Sequence, residues 1–514
     1  MGTTNAQTDA EHSADVINPS GTSVEAFFAE AVILVTGATG FLGKAIVEKL
    51  LRACPRIATI FILIRPKRGQ TVEQRFNQFL NNSIFDRIRW ECPTALSKIQ
   101  PVKGDVSLGD LGLSEEDRAM LTQRVNIVFH SAATVRFDEP LKVAVNLNTR
   151  GTDRIIELCK NMNNLVSVIH VSTAYSNADQ TDVREMIYTK HLRVNSKLRP
   201  YTAIDMCENL DDGTLDIVER KVLGKHPNTY TLTKGLAEDI VQTKGSNLPI
   251  AIVRPSIIGS AYQEPFPGWV DSICGITGIM TEIGRGTIRS IVCNDKLIVD
   301  VIPVDFVVDT IICAACHIAM QPNGNIRVYN CTSSTYNPVR WREWGQLTQK
   351  HAVESPSKYV MWYPGFTFRT NKFIHKLVVA LFHFLPAFII DLILRFQGGK
   401  PKMFKITKKT DRAAQVGTFF STNEWIFHGN NMEELAKWVK ASNDRNRFNV
   451  DVKTLDWDAY VQKYMLGIRK YILKENPDTL SKARSRLLKL YWLHKIFQIL
   501  SVFFLIKLIT RAGR

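Results

Sequence analysis

The sequence predicts a doubly wound α/β fold built on a parallel sheet, and three observations indicate it. An apolar run near residue 32 leads directly into a glycine-rich turn and an amphipathic segment, which is the order strand, turn, helix. Further short apolar runs end in small or polar residues, as parallel strands do where they line a crevice. Segments with helical periodicity separate these runs, and this alternation is typical of parallel sheets.

The first strand and its turn predict a phosphate-binding loop. Four apolar residues, Val32–Val35, precede a turn in which the glycines are spaced Gly-x-x-Gly-x-x-Gly. Gly37 permits the tight bend, Gly40 lets a pyrophosphate approach the backbone, and Gly43 lets the following helix pack on the strand. The free N–H groups at the helix N-terminus face the anion. The pattern therefore predicts a dinucleotide site at Thr36, Gly37, Thr39, Gly40, Phe41, Leu42 and Gly43; an ordinary glycine-rich turn is the alternative.

The second apolar run bears on the choice of cofactor. Ile57–Ile64 is nearly continuous, as a strand buried on both faces should be, and it ends in Arg65-Pro66-Lys67-Arg68. At this position, about 20 residues beyond the glycines, an NAD enzyme carries an acidic residue on the ribose 2′-hydroxyl. Cations there suit the 2′-phosphate of NADP. We therefore predict NADPH as cofactor, with Arg65 and Lys67 as contacts; a solvated basic turn is the alternative.

The remaining strands place other candidate residues at the same edge of the sheet. Ile99–Lys103 precedes Asp105, which is placed for an adenine amine, and Val106 follows it. Val125–Phe129 precedes Ala132 and Ala133, whose small side chains allow a cofactor to pass close to the backbone. The later apolar runs are Leu165–Val171, Ala251–Arg254 closed by Pro255, and Leu297–Val301.

Tyr230 and Lys234 form the second informative pattern. On a helix they lie one turn apart on one face, so that the ammonium can lower the pKa of the phenol and bind the nicotinamide ribose. The phenol then becomes a usable proton donor near neutral pH. The Leu165–Val171 strand ends in Ser172 and Thr173, and one of these hydroxyls can converge with the phenol on a carbonyl oxygen. The candidate catalytic residues are therefore Tyr230, Lys234, Thr173 and Ser172.

Composition limits the class of protein. The chain has 514 residues, of which 45% are hydrophobic and 22% charged, so it has enough apolar material for a large core. The net charge of +16 is spread thinly and condenses mainly in Arg65–Arg68, Lys400–Arg412 and Lys482–Lys489. No nucleic-acid module accompanies these clusters, which favours cofactor phosphates and a membrane surface as partners. The nine cysteines show no paired framework, and we predict no metal site.

The ends of the chain differ from the middle. Residues 1–30 are polar, and we predict a flexible tail there. A composition shift at residues 337–356 marks a second domain, within which Leu377–Ile390 is interrupted by His383 and Pro386 and is expected to form a buried or interfacial hydrophobic hairpin. Leu490–Ile509 is apolar and flanked by cations, and Lys495 and Lys507 can reach a membrane interface. We predict a membrane anchor at residues 490–509.

From Val32 to about Ile472 the chain resembles the extended short-chain dehydrogenases/reductases, and more narrowly the alcohol-forming fatty acyl-CoA reductases of animals. The motifs that carry the resemblance are Thr36–Lys44, Ser131–Phe137, His170–Tyr175, Tyr230–Lys234, Ile252–Ile257 and Glu264–Trp269. The resemblance implies a Rossmann-like reductase domain at residues 31–336 and a smaller, mainly helical acyl-reductase domain at 337–480. It also implies that Tyr230 and Lys234 are catalytic, with Thr173 a better match than Ser172 for the hydroxyl.

The resemblance implies NADPH-dependent reduction of a long-chain fatty acyl-CoA to a primary alcohol through a bound aldehyde. The segment Gly259–Arg289 is rich in glycine, proline and apolar residues and is expected to form a wall of the acyl groove; a plain surface loop is the alternative. The enzyme would be anchored in the peroxisomal or endoplasmic reticulum membrane with its catalytic domain in the cytosol. The alternatives are another extended short-chain reductase, acting on a steroid or a sugar nucleotide, and a non-enzymatic NADP-sensing membrane protein.

Overall fold

A seven-stranded parallel sheet organises the protein. The computed structural model describes residues 23–67, 69–188, 198–321 and 324–512. The strands are β1 Val32–Thr36, β2 Thr59–Ile64, β3 Ile99–Lys103, β4 Ile127–His130, β5 Ser167–Val171, β6 Ile250–Pro255 and β7 Arg327–Cys331. Their order across the sheet is β7-β6-β5-β4-β1-β2-β3. The strand order reverses between β1 and β4, which is the place where such sheets bind ligands. The predicted doubly wound α/β fold is confirmed.

Helices cover both faces of the sheet. Alternate residues of β1 enter different hydrophobic clusters, Ile33 and Val35 one and Leu34 the other, so both faces of the strand are buried. The α-helices up to residue 320 are Val24–Phe27, Phe41–Ala53, Val72–Leu80, Asp86–Glu91, Glu115–Arg124, Leu141–Ala144, Gly151–Lys160, Pro200–Asn209, Asp212–Leu223, Thr229–Lys244, Ile276–Arg285 and Val304–Met320. A widened turn, Val145–Arg150, joins Leu141–Ala144 to Gly151–Lys160.

The C-terminal region is mainly helical. Its α-helices are Trp341–Glu354, Lys372–Val379, Leu385–Phe396, Met403–Val416, Thr418–Thr422, Asn430–Ala441, Trp457–Gly467 and Leu480–Ala512. Four pairs of short strands lie outside the main sheet: Asp182–Val183 with Ile426–Phe427, Ile257–Gly259 with Val301–Pro303, Ser290–Val292 with Thr367–Arg369, and Ile298–Val299 with Val339–Arg340. The first pair joins the C-terminal region to the segment that follows β5.

The predicted N-terminal tail ends earlier than residue 30. Residues 1–22 lie outside the described part of the chain, but Ser23–Glu30 packs on the protein. Val24 and Phe28 are fully buried, and the Ser23 hydroxyl donates to Asp444 at 2.7 Å. The prediction is wrong for these eight residues, because Val24 and Phe28 are apolar and pack into the core.

The expectation of a hairpin at Leu377–Ile390 is also wrong. Helical backbone runs from Lys372 to Phe396 through a widened turn at Ala380–Phe384. That turn accommodates Pro386, which cannot donate a hydrogen bond to the preceding turn. Within the described residues, one helix, Lys372–Phe396, is long and apolar enough to cross a membrane, with a mean hydropathy of 2.5 and only 17% of its most apolar window buried.

The final helix, Leu480–Ala512, contains the predicted anchor. Ala483 and Leu487 near its start are buried against the protein. Farther along, large apolar side chains are half or more exposed, among them Trp492, Ile496, Phe497, Ile499, Leu500, Val502 and Phe503. The helix therefore projects an apolar surface beyond the protein body.

Candidate active site

The glycine turn after β1 has the geometry of an anion-binding loop. Gly37 has a φ of +72°, and a Cβ atom there would lie 2.7 Å from the Ala132 nitrogen. A Cβ on Gly43 would lie 2.7 Å from the Ala38 Cα. Gly40 is the N-cap of helix Phe41–Ala53, and no side chain caps that helix. The first N–H groups of the helix are therefore free to bind a pyrophosphate.

Thr36 ties the glycine turn to the strand on the other side of the crevice. Its hydroxyl is 2.7 Å from His130 Nδ1 and accepts a hydrogen bond from the Ala132 N–H at 3.3 Å. Burial, reinforced by the positive charge of Lys234, lowers the pKa of His130 to about 3. A neutral His130 therefore holds the ends of β1 and β4 together, and the Ala132 backbone lies against the Gly37 turn.

The basic end of β2 is completed by a residue that sequence reasoning missed. Arg75 lies on helix Val72–Leu80, donates to the Arg65 carbonyl and reaches the Thr39 hydroxyl at 3.3 Å. Arg65 and Lys67 are exposed, and Arg68 lies outside the described residues. Arg65 also borders a cavity of about 550 Å³ whose other cations are Lys142, Arg150 and Arg154. This cavity has the volume and the charge to take a phosphorylated nucleoside.

Asp105 and Val106 lie between β3 and this cavity. The Asp105 carboxylate accepts hydrogen bonds from the N–H and hydroxyl of Ser107, at 2.9 and 2.8 Å, both on Oδ1. The Val106 carbonyl accepts from Arg154 at 2.8 Å, and the Val106 side chain packs closely against Gly151. Asp105 and Val106 thus lie where the sequence expectation requires, at the carboxyl edge of the sheet.

The structure brings Tyr230, Thr173 and Lys234 together. Tyr230 and Lys234 occupy successive turns of helix Thr229–Lys244, and the Thr173 hydroxyl lies beside the phenol and interacts with it. Burial raises the pKa of Tyr230 to about 12, and the bond to Thr173 partly offsets this. Lys234 donates to the Val171 carbonyl at 2.7 Å, and burial lowers its pKa to about 8 while Glu238 acts in the opposite direction. The predicted lowering of the phenol pKa by Lys234 is therefore wrong: burial dominates, and the phenol holds its proton at neutral pH.

Ser172 does not share this arrangement. Its hydroxyl donates to Glu238 Oε1 at 2.5 Å, away from the phenol. The Thr173 hydroxyl instead lies between Tyr230 and the carbonyl of Pro255, 3.4 Å away at the end of β6. Thr173 is therefore the hydroxyl that can act beside the phenol.

Aromatic side chains from distant parts of the chain form one wall beside Tyr230. Phe137 stacks on the Tyr230 ring with centroids 5.7 Å apart, and Phe420 packs on Phe137 at 5.3 Å. Phe420 also meets the edge of Tyr175 at 4.9 Å. Sequence reasoning did not identify this wall, since Phe420 comes from the C-terminal region. Its apolar surface directly adjoins the proposed proton donor.

Part of the Gly259–Arg289 segment, which was predicted as a groove wall, is buried in the protein. Trp269 is fully buried and stacks on Phe41 at 5.0 Å, where the helix after the glycine turn begins. Val270 is also buried in the core, whereas Ile273 is exposed. The part of the segment around Trp269 therefore supports the glycine loop.

The fold and the site are those of an NAD(P)-binding oxidoreductase. An NAD-binding family model described as Male sterility protein matches residues 35–311, and a second model of the same description matches residues 382–475. The solved structures similar to this chain include the terminal R domain of the myxalamid PKS-NRPS pathway, with a TM-score of 0.57, 18% identity and coverage of 86% of this chain and 90% of that one. A reductase domain of a nonribosomal peptide synthetase from Mycobacterium tuberculosis has a TM-score of 0.55 at 16% identity, covering 88% and 94%.

Curated relatives narrow the class. Fatty acyl-CoA reductase 1 of Rattus norvegicus is 38% identical over 468 residues, which is 91% of this chain and 90% of the relative. Fatty acyl-CoA reductase 2 of Mus musculus is 38% identical over 474 residues, covering 92% and 91%. The chain belongs to the fatty acyl-CoA reductase family.

Proposed function

We propose that this protein reduces long-chain fatty acyl-CoA to the primary alcohol, with NADPH as hydride donor. The observation that carries the proposal is the convergence of Tyr230, Thr173 and Lys234 beside an open glycine loop. Family membership supports the acyl-CoA substrate. We also propose the division into a cofactor-binding region, residues 31–336, and a C-terminal acyl-reductase region, residues 337–480.

The reaction needs a proton donor at the carbonyl oxygen, and this chain supplies one. A bound NADPH, with its pyrophosphate on the glycine loop, would supply hydride to the thioester carbon. The Tyr230 phenol donates its proton to the oxygen that becomes negatively charged, and the Thr173 hydroxyl stabilises the same oxygen. Lys234 would hold the nicotinamide ribose, and its ammonium stabilises the phenolate that remains after the proton transfer. The phenolate takes the hydroxyl proton back as the carbon–sulfur bond breaks, so that CoA leaves as the thiolate and an aldehyde remains. The same groups serve the reduction of the aldehyde in a second round, after which the phenolate regains a proton from solvent.

The aromatic wall suits an acyl chain and its aldehyde. Phe137 and Phe420 present apolar surface next to Tyr230 and exclude water from that side of the phenol. We propose that the first carbons of the acyl chain pack on this wall. An apolar enclosure also retains a long-chain aldehyde while the oxidised cofactor is exchanged.

We propose that the 2′-phosphate of NADPH binds at Arg65, Lys67 and Arg75. Arg65 ends β2 at the place where an NAD enzyme has an acidic residue, and Arg75 reaches from a separate helix to Thr39 in the glycine turn. A planar guanidinium suits bidentate binding of a phosphate. Residues 65–71, which directly follow β2, include no Asp or Glu that could bind the ribose 2′-hydroxyl of NADH.

An assay of cofactor and product tests the function. Supplied with a series of acyl-CoA chain lengths, the protein should oxidise two NADPH for each CoA released, with a primary alcohol as product and little free aldehyde. With NADH in place of NADPH, kcat/KM should fall at least about tenfold, equivalent to about 1.4 kcal/mol of lost phosphate binding. Aldehyde as the end product would contradict the two-round scheme, and equal rates with both cofactors would contradict the role of Arg65.

We propose that the final helix anchors the protein in a membrane. The 20 residues from 490 to 509 span about 30 Å as a helix, which matches the hydrocarbon core of a bilayer. Lys482, Arg484, Arg486 and Lys489 precede it and suit anionic headgroups. The family resemblance favours the cytosolic face of the peroxisomal or endoplasmic reticulum membrane. The exposed helix Lys372–Phe396 offers a second apolar contact with the same bilayer.

Removing residues 490–514 should release the protein from membranes without unfolding it. Among the described residues, the deletion removes one side-chain hydrogen bond to the body, from Trp362 Nε1 to His494 at 3.0 Å, and the ring contacts of Tyr491, His494 and Phe497 with Trp362 and Tyr363. We therefore expect the thermal transition to shift by only a few degrees. The measurements are flotation with anionic vesicles and a thermal melt.

A chain that stops after residue 509 is the matched control, because it keeps the apolar stretch and should stay bound. Residual binding of the longer deletion would locate a second membrane contact in Lys372–Phe396. A deletion that loses its thermal transition would show instead that the final helix belongs to the core.

A further inference from the structure

A buried ion pair lies directly behind the proposed catalytic groups. Glu238 follows Lys234 by four residues on helix Thr229–Lys244, as Lys234 follows Tyr230, so the three side chains share one helical face. The side chains of Glu238 and Arg254 are both 0% exposed. Arg254 binds the carboxylate with both ends of its guanidinium, Nε to Oε1 at 2.9 Å and Nη2 to Oε2 at 2.6 Å. Such a pair is costly to bury unless its remaining bonds are satisfied.

The other hydrogen bonds of Glu238 and Arg254 join the pair to Ser172 in the active site and to the loop after β5. Glu238 Oε1 accepts the Ser172 hydroxyl at 2.5 Å. Arg254 also donates to the carbonyls of Arg184 and Met186, at 3.1 and 2.9 Å. The pair thus joins β5, β6, the helix of Tyr230 and the segment that pairs with the C-terminal strand Ile426–Phe427.

The end of β5 is consequently held against the helix at two adjacent points. Lys234 binds the carbonyl of Val171, and Glu238 binds the hydroxyl of Ser172. Thr173 is the next residue, and its hydroxyl must remain in reach of the phenol of Tyr230. Small displacements at such a site reduce catalysis strongly.

We propose that Glu238 and Arg254 are positioning residues for the reduction: Glu238 fixes Thr173 relative to Tyr230 through Ser172 and sets its carboxylate one helical turn from Lys234, and Arg254 holds Glu238 in place. This inference rests on the proposed roles of Tyr230 and Lys234. It gives Ser172 a structural task that explains why its hydroxyl turns away from the phenol.

The charged surroundings of Lys234 support the second part of the proposal. Glu238 is the carboxylate that opposes the lowering of the Lys234 pKa by burial. The other titratable groups that face this region are His130 on β4, His170 on β5, Tyr230 on the same helix and Arg254 on β6. Burial lowers the pKa of both histidines far below neutrality, and the pKa of Tyr230 is raised, so these three groups are uncharged at pH 7. Arg254 is cationic and would not replace the charge of Glu238.

Two substitutions separate the two tasks of Glu238. Glu238→Gln removes the charge at nearly constant size. We expect the alkaline limbs of kcat/KM and of NADPH affinity, which lie near the Lys234 pKa of about 8 in the unaltered protein, to move down by about one pH unit or more. Glu238→Asp keeps the charge opposite Arg254 but cannot reach Ser172 in the same geometry. It should lower kcat about 10- to 100-fold while its alkaline limb stays in place.

Glu48→Gln is the matched control, since Glu48 is also almost fully buried and paired bidentately, with Arg52 on helix Phe41–Ala53. It should lower the melting temperature without moving the pH profile. Glu238→Gln with an unchanged alkaline limb would overturn the charge part of the proposal, and Glu238→Asp with unaltered kcat would overturn the positioning part. If Glu238→Gln does not fold, Glu238→Asp still decides the positioning part. Ser172→Ala then tests the charge part, because it leaves the carboxylate of Glu238 unchanged. The alkaline limb of NADPH affinity should stay in place in Ser172→Ala, and a shift of that limb would contradict the charge part. Because NADPH affinity is measured by fluorescence at each pH, failure of this inference is distinguishable from failure of the proposed reductase activity.

Discussion

Tyr230→Phe should lower the reduction of supplied acyl-CoA and of supplied fatty aldehyde alike, each by about 10²- to 10⁴-fold, which is the usual contribution of a positioned general acid. One phenol lies beside Thr173 at this site. The aldehyde is at least as electrophilic as the thioester and needs a proton at the same oxygen. Both rounds of reduction should therefore depend on the same hydroxyl.

NADPH binding should be largely retained in this variant, because Lys234 and the glycine turn are unchanged. Removal of the phenolic oxygen also takes away a buried polar group, and its partner Thr173 keeps a bond to the Pro255 carbonyl. We therefore expect a melting temperature close to that of the unaltered protein. The measurements are steady-state rates with each substrate and NADPH affinity by fluorescence.

Tyr329→Phe is the matched control for the chemical change. Tyr329 is a fully buried tyrosine on the edge strand β7, and its hydroxyl lies 2.9 Å from His317 Nδ1. Its removal should affect stability and leave both rates near normal. A Tyr230→Phe protein that reduces aldehyde at full rate would rule out a single site for the two rounds.

The strands of the sheet were predictable where the sequence has a short run rich in apolar residues. β2 is apolar at nearly every position, and β3 was predicted with the bounds that it has in the structure. β7 was not predicted, because its sequence Arg-Val-Tyr-Asn-Cys includes polar side chains whose partners come from elsewhere: Asn330 donates to the carbonyls of Val183 and His428. The predicted strand at Leu297–Val301 became two short strands outside the main sheet.

In the helix Lys372–Phe396, contacts with distant residues overcome two residues that were expected to interrupt it. His383 and Pro386 interrupt an apolar run and were read as breaks. In the structure His383 Nε2 accepts the N–H of Arg289 at 2.8 Å, and the widened turn at Ala380–Phe384 takes up the proline. Neither contact can be read from the residues near His383 in sequence.

The site residues likewise divide into those that local spacing predicts and those that only the tertiary fold brings together. Tyr230, Lys234 and the glycines follow from local spacing, because a helix or a tight turn fixes their relative positions. Arg75 and Phe420 reach the site from separate segments, and no pattern near them indicates it. The choice between Thr173 and Ser172 depended on Glu238, whose carboxylate takes the Ser172 hydroxyl.

Gly37→Ala should abolish NADPH binding and lower the melting temperature. The φ of +72° costs an alanine about 1–2 kcal/mol. Its methyl group would also lie 2.7 Å from the Ala132 nitrogen, which is backbone and cannot rotate away. The β1 and β4 loops must then separate, and Thr36 loses its bonds to His130 and Ala132. The readouts are NADPH affinity and a thermal melt.

Two further glycine variants separate cofactor binding from loop strain. Gly109→Ala is the control, because no atom lies within 4 Å of a Cβ at Gly109 and its φ is not positive; it should leave both readouts unchanged. Gly40→Ala meets only the Gly37 carbonyl, at 3.1 Å, so it should fold with little loss of stability and still weaken NADPH binding by crowding the pyrophosphate. If Gly40→Ala and a folded Gly37→Ala both bound NADPH with full affinity, the turn after β1 would not be the pyrophosphate site. The N–H groups at the start of helix Phe41–Ala53 would then bind an anion other than the pyrophosphate of NADPH.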